Sequence, residues 1–289
     1  MTTNRRMFLT QAGLLTAGAM AAPYLLSAKG ISNVGLQLYS LRDQLPKDVS
    51  GVIAKVAAAG YKEVEPFGYS KEKGFWGLDA KAFNALLKSN GLTTPSGHYD
   101  MNRFFGTGNT DQLETYIEAA NITGQSHVIV PSINNNFIKT VDDFKATAEK
   151  MNKAAEVCKK GGLKLGYHNH NFEWKEVDGT TFYDTVLDNT DPKLVTMEMD
   201  IYWVVRSQKD PLELFAKHPG RYGFVHVKDM DKTHNNLNTE IGKGTIDYVK
   251  IIAAAKKDGV KHFIVEQENY IDIDPYVSIA ESQKYVSKL

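Results

Sequence analysis

The stretch VDDFKATAEKMNKAAEVCKKGGLKLGYHNHNFEW, residues 141–174, decides how this chain is read. Its first twenty-two residues repeat apolar positions at three and four, the spacing of an amphipathic helix, and stop at a pair of glycines. LKLGYH (163–168) follows without a linker and has the apolar and aromatic character of a buried strand. Two histidines two residues apart, an acid and a tryptophan then crowd the strand's end. A helix running through glycine into a strand that ends in polar chemistry is a unit of alternating α/β architecture.

The unit repeats in both directions. Strand-like runs are VGLQLY (34–39), KEVEPF (62–67), LTTPSGH (92–98), SHVIVPS (126–132), LKLGYH (163–168), LVTMEMD (194–200), YGFVHVK (222–228) and HFIVEQE (262–268). Helical spacing lies between them, as in DVSGVIAKVAAAG (48–60), LDAKAFNALLKSNG (78–91) and GTIDYVKIIAAAKKDGV (244–260), each running to a glycine at or near its end. Eight such units imply parallel strands joined by right-handed crossovers, and their length matches a single-domain (β/α)8 TIM barrel. A doubly wound sheet is the alternative, but the first strand ends QLYSLRDQ, without the glycine-rich phosphate turn of that fold. The stretch 99–110 reads as a long loop, a candidate binding-site wall.

The barrel is expected over residues 29–289, because residues 1–28 read as a signal. Arg5-Arg6 with Phe8-Leu9 precede the apolar run AGLLTAGAMAAPYLL and the small residues Ser27 and Ala28. This is the pattern of a twin-arginine export signal, and it predicts a periplasmic protein. The run is short for a membrane span and contains Pro23, so no stable membrane insertion is expected.

Lys+Arg and Asp+Glu number 34 each in the 289 residues, so the formal net charge is zero. A nucleic-acid binder would carry a basic surplus, and none is expected as partner. Cys158, the one cysteine, falls inside the 141–162 helix and reads as a small buried apolar residue.

In a barrel the strand ends that feed the helices form the working face. Polar residues gather there: Gln37 on strand one, Glu65 on strand two, His98 on strand three, His168 and His170 on strand five, Glu198 and Asp200 on strand six, His226 and Lys228 on strand seven, Glu266 and Glu268 on strand eight. Residues two apart share a strand face, so each of these pairs can point into the mouth together. His168, Asp200, His226 and Glu266 make a candidate set for one divalent metal; mixed imidazole and carboxylate ligands accept manganese, zinc, cobalt or iron (Mn, Zn, Co or Fe). Glu198, one pleat deeper, reads equally as a core residue. Trp203 reads equally as ordinary core or as a partner for the apolar face of a sugar ring.

These residues carry a resemblance. VGLQLYSLRD, GYKEVEPFG, GYHNHNFEW, MEMDIYWVVRSQKDP, FVHVKD with IGKGTIDY, and FIVEQEN are similar to the xylose-isomerase-like TIM-barrel superfamily of sugar isomerases, epimerases and inosose dehydratases, over residues 31–289. The most specific piece is His226 with Lys228-Asp229, then Gly242-Lys243-Gly244 and Asp247. The nearest likeness is to exported bacterial proteins labelled sugar phosphate isomerase/epimerase. The resemblance implies one metal held from strands five to eight, with Asp200, His226 and Glu266 matching the family's ligands. His168 stands where the family has a glutamate. Of the two glutamates that shuttle a proton in ketose epimerases, only Glu266 remains. A lyase or hydratase step, or an isomerisation with another base, follows from that departure.

The expectation is therefore a metal-dependent sugar isomerase, epimerase or lyase that moves a proton beside a polarised carbonyl. Glu266, His170 or Glu65 would transfer the proton and Lys228 would hold an oxyanion or hydroxyl. Gln37, His98, Trp203 and Lys228 would contact a small-molecule sugar or glycoside. The alternatives are a non-catalytic exported sugar-binding protein and a metal-dependent DNA hydrolase, the latter disfavoured by neutral charge and the export signal.

Overall fold

The computed structural model describes residues 30–289. The expected signal at 1–28 lies outside the described residues. Eight parallel strands form one sheet: β1 (Val34–Gln37), β2 (Glu63–Glu65), β3 (Ser96–His98), β4 (His127–Val130), β5 (Lys164–His168), β6 (Val195–Asp200), β7 (Tyr222–Val227) and β8 (His262–Val265). They follow one another around the sheet, β1 pairing with both β2 and β8. Bridges between Glu63 and Thr93 and between Phe67 and His98 bring the ring to near closure between β2 and β3. The chain is a single-domain (β/α)8 barrel, as the alternation predicts.

Eight principal helices wrap the sheet: α1 (Val49–Ala58), α2 (Ala80–Ser89), α3 (Asp111–Thr123), α4 (Val141–Lys160), α5 (Phe182–Asn189), α6 (Pro211–Lys217), α7 (Tyr248–Asp258) and α8 (Pro275–Val286). Helix α4 shows why the sequence was legible. Thr140 caps its first turn, the Asp143 carboxylate accepts from the Thr140 backbone N–H in return, and Lys159 and Lys160 face the negative end of the helix dipole. Phe144, Met151, Ala155 and Cys158 form its buried stripe. Burial pushes the Cys158 thiol up to about 12, so it is inert packing, as expected. Among the described residues no helix is long and apolar enough to cross a membrane.

Below the mouth the barrel is plugged by side chains. Gly166 on β5 leaves room for Ile129 of β4, since a Cβ there would sit 2.2 Å from the Ile129 Cδ1. Register then sets the floor of the mouth: Gln37 pairs with Glu65, His168 with Glu198, and Asp200 with His226.

Candidate functional site

Strand ends supply the site in two tiers. The lower tier holds Glu65, His98 and Glu198, with Glu65 and Glu198 fully buried. Glu198 Oε2 lies 2.7 Å from His98 Nε2, 3.0 Å from His168 Nδ1 and 3.3 Å from His226 Nε2. Glu65 Oε2 accepts from Gln37 Nε2 at 2.7 Å and sits 2.9 Å from His226 Nε2 and 3.1 Å from His98 Nε2. Its other oxygen accepts from Ser96 Oγ.

Charge pairing offsets the cost of this burial. Burial and the neighbouring Glu65 push the Glu198 carboxyl up, yet His226, His98 and His168 prevail and hold it at about 2. Burial likewise opposes ionisation of Glu65, and His98 and His226 hold it well below the usual carboxylate range. Burial pulls His98 down, but Glu65 and Glu198 raise it to about 10. His168 goes the other way: burial, then the nearby His226, push it well below the usual imidazole range. An ionised carboxylate only accepts, so His168 carries its single proton on Nδ1 and donates it to Glu198.

That proton placement defines the upper tier. His168 Nε2 presents a bare lone pair to Asp200 Oδ2, 3.8 Å away. Asp200 Oδ1 caps the short helix Ile201–Arg206 by accepting from the Trp203 backbone N–H, whereas Oδ2, fully buried, has no hydrogen-bond partner. His226 Nδ1 faces Glu266 Oε2 at 3.1 Å. The four donor atoms of His168, Asp200, His226 and Glu266 lie within 4.8 Å of one another. These four donor atoms could hold a divalent ion. The second ring nitrogens of His168 and His226 rest on Glu198 and Glu65, the outer hydrogen bonds that orient metal-ligating histidines.

Lys228 lies against this tier, fully buried. Its ammonium is 3.6 Å from Asp200 Oδ2 and 3.3 Å from Glu266 Oε2, and it also contacts Glu268. Burial opposes its charge, but Glu266, Asp200 and Glu268 raise it well above the usual lysine range. Burial pushes the Asp200 carboxyl up to about 7 against the pull of Lys228.

Above the tiers opens a cavity of about 440 Å³. Of the residues expected from sequence, His98, His168, His170, Trp203 and Glu266 line it; Gln37, Glu65, Asp200, His226 and Lys228 stand behind them. Asp100, from the loop foreseen as a wall, lines it too, together with Tyr39, Phe67 and Tyr69.

Two local departures from the sequence reading have physical causes. Strand β5 stops at His168, so His170 is not its next inward residue on a continuing strand. Asn169 ends the pairing by accepting from the Asp200 N–H at 3.1 Å, and Glu173 Oε2 takes the His170 N–H at 2.9 Å. His170 still reaches the cavity, with Nδ1 buried and without a hydrogen-bond partner. The Asp229–Gly244 signature is a loop staple: the Asp229 carboxylate accepts from the N–H groups of Met230, Gly242, Gly244 and Ile246. A Cβ on Gly244 would collide with Asp229 Oδ1 at 2.2 Å, so glycine there is a packing requirement. Asp247 caps α7.

Fold and site together define a (β/α)8 barrel with a buried mixed His/carboxylate floor under an aromatic-lined mouth. The chain belongs to the xylose isomerase-like TIM barrel family, whose family model matches residues 53–289. An inosose dehydratase of Clostridium perfringens is 27% identical over 161 residues, which are 56% of this chain and 50% of that protein. The chain thus spans about half the length of this curated relative. Among solved structures it is similar to a sugar phosphate isomerase/epimerase from Parabacteroides distasonis, with 29% identity and a TM-score of 0.78 over 91% of this chain and 96% of the other. A 3-keto-D-glucoside 4-epimerase from E. coli shares the fold, with 16% identity and a TM-score of 0.68 over 88% and 98% of the two chains.

Proposed function

We propose that the protein is a metal-dependent enzyme that moves a proton at the carbon beside a sugar carbonyl, in an isomerisation, epimerisation or elimination. The single observation that carries this reading is the convergence of donor atoms of His168, Asp200, His226 and Glu266 within 4.8 Å of one another, with Asp200 Oδ2 buried and without a hydrogen-bond partner among the described residues. His168, Asp200, His226 and Glu266 would hold one divalent ion, manganese, zinc, cobalt or iron. When bound, it supplies Lewis-acid polarisation of the carbonyl and its neighbouring hydroxyl.

The chain's own residues do the rest. Glu198 and Glu65 hold the His168 and His226 rings so that the remaining nitrogen of each points to the upper tier. This reading moves Glu65 from proton transfer to positioning, since both its oxygens are occupied. Glu266 and His170 are the bases that reach the cavity wall. Lys228 balances Asp200, Glu266 and Glu268. Trp203 offers its face to a sugar ring. The inosose dehydratase and epimerase relatives support sugar chemistry, and the Arg5-Arg6 signal supports a periplasmic setting through the twin-arginine route.

The test is metal content of the purified mature chain beside Asp200→Asn and His226→Ala, with folding checked by circular dichroism. About one divalent ion per chain, lost in the variants, and sugar turnover abolished by chelation are expected. Sugar binding by a chain that takes up no manganese or zinc would make it a non-catalytic binding protein instead.

A further inference from the structure

The cavity is specific about charge. Among the described residues that line it none is Lys or Arg, whereas Asp100, Glu266 and Glu268 are acidic. The cations closest to it are engaged: the His98 ring on its wall is paired with Glu65 at 3.1 Å and Glu198 at 2.7 Å. Lys228 is shared among Asp200, Glu266 and Glu268. Arg42, next to the mouth, donates Nη1 and Nη2 to the carbonyl oxygens of Tyr39 and Glu268. Arg206 donates to the Tyr202 hydroxyl and stacks on Trp203, with 5.0 Å from guanidinium to ring. Arg103 lines a separate surface groove with Asp111 and Glu114. A divalent ion on the floor is already matched by Asp200 and Glu266. A phosphate dianion entering this cavity would lose its hydration to a wall with no free cation and like charge on it.

The walls are specific about shape. Tyr39 follows β1 and Phe67 follows β2, and their rings meet edge to face at 5.1 Å. Trp203 follows β6 and packs 5.5 Å from the His170 ring. In a ring of eight consecutive strands, β2 and β6 stand opposite each other. The cavity therefore has aromatic faces on two opposite sides of one polar floor. A sugar ring over His168 and Glu266 against Trp203 leaves the Tyr39–Phe67 face uncovered, and Tyr39 is 40% exposed. Aromatic faces of this kind bury flat apolar surface.

We propose that the cavity binds an uncharged two-ring glycoside, one ring on the polar floor beside Trp203 and the second against Tyr39 and Phe67, and that it excludes phosphorylated sugars. This rests on the sugar reading of the site and names the class of sugar.

The test is calorimetric binding to the metal-loaded protein with a panel of methyl and 4-nitrophenyl hexosides, each beside its 6-phosphate. Expected are 4-nitrophenyl members binding at least tenfold tighter than methyl ones, and every 6-phosphate binding at least tenfold weaker than its parent. In Tyr39→Ala, and independently in Phe67→Leu, the advantage of the second ring falls fivefold or more while the melting temperature holds. A phosphate ester binding as tightly as its parent, no gain from the second ring, or silence from the whole panel overturns the assignment. Binding is read without turnover. A glycoside that binds but is not converted counts against the proposed reaction alone; metal-dependent turnover of a sugar phosphate counts against this ligand class alone.

Discussion

His168 Nδ1 rests 3.0 Å from Glu198 Oε2, and that contact leaves its Nε2 bare toward Asp200. Glu198 Oε2 also sits 2.7 Å from His98 Nε2 and 3.3 Å from His226 Nε2, so one buried oxygen organises rings from three strands. Glu198→Gln keeps the volume and removes the charge that fixes these donors. Metal affinity is expected to fall about 10–100-fold, the usual cost of losing an outer partner of a ligating histidine. Competition against a chelator measures it, with unchanged circular dichroism as the control. Wild-type affinity in the variant would mean that Glu198 is only packing.

Lys228 is the counter-charge of the upper tier. Lys228→Met leaves Asp200, Glu266 and Glu268 without their shared ammonium. Breaking a buried ion pair by removing one partner costs about 3–5 kcal/mol. The metal-free variant is expected to melt well below wild type, and manganese to restore more stability to it than to wild type, because a divalent ion neutralises the same oxygens. Melting curves with and without manganese decide this; equal metal-free stability would refute the charge balance.

His170 and His168 are separable. His168 belongs to the compact donor set, whereas His170 lines the cavity with an unpartnered Nδ1. His170→Ala is expected to lower kcat about 10²–10⁴-fold, the worth of a general acid or base. Its metal content should stay at the wild-type level. Loss of the metal would instead make His170 a ligand.

How far the sequence could be read follows from which signals are local. The barrel was legible because helix stops, strand runs and polar strand ends are each written within a few residues. Asp200, His226 and Glu266 could be picked out for the same reason: each lies within one residue of the end of its strand. The role of Glu198 was not legible, since the rings that engage it come from positions 100 and 30 residues away. On sequence alone, the pleat below Asp200 is as good a core position as a site position. His170 depended on where β5 stops, which is decided by a hydrogen bond from β6 to Asn169. The Asp229–Gly242–Gly244 pattern, the most specific piece of the resemblance, wraps a carboxylate in backbone N–H groups, which sequence spacing alone does not reveal.

Glu173 gives the chain a pH-dependent stability outside the ligand set. It is fully buried on the single turn Phe172–Trp174, where Oε1 accepts from the Tyr167 hydroxyl at 2.7 Å and Oε2 from the His170 N–H. Burial pushes its carboxyl from 4.5 up to about 7, and the hydrogen bonds from Tyr167 and His170 offset only part of that. A raised folded-state value means that the unfolded chain ionises first as pH rises. Stability from this group is therefore complete below about 4.5 and is lost as pH climbs to about 7. The whole effect is about 3.5 kcal/mol, at about 1.4 kcal/mol per pH unit. Glu173→Gln removes the titration, and the Tyr167 hydroxyl can turn to accept from the new amide. Unfolding free energies from urea titrations at pH 5 and pH 8 should differ less in the variant than in wild type, by about 2.5 kcal/mol, the part of the effect that falls between those values; parallel pH profiles would show that Glu173 does not titrate in this window.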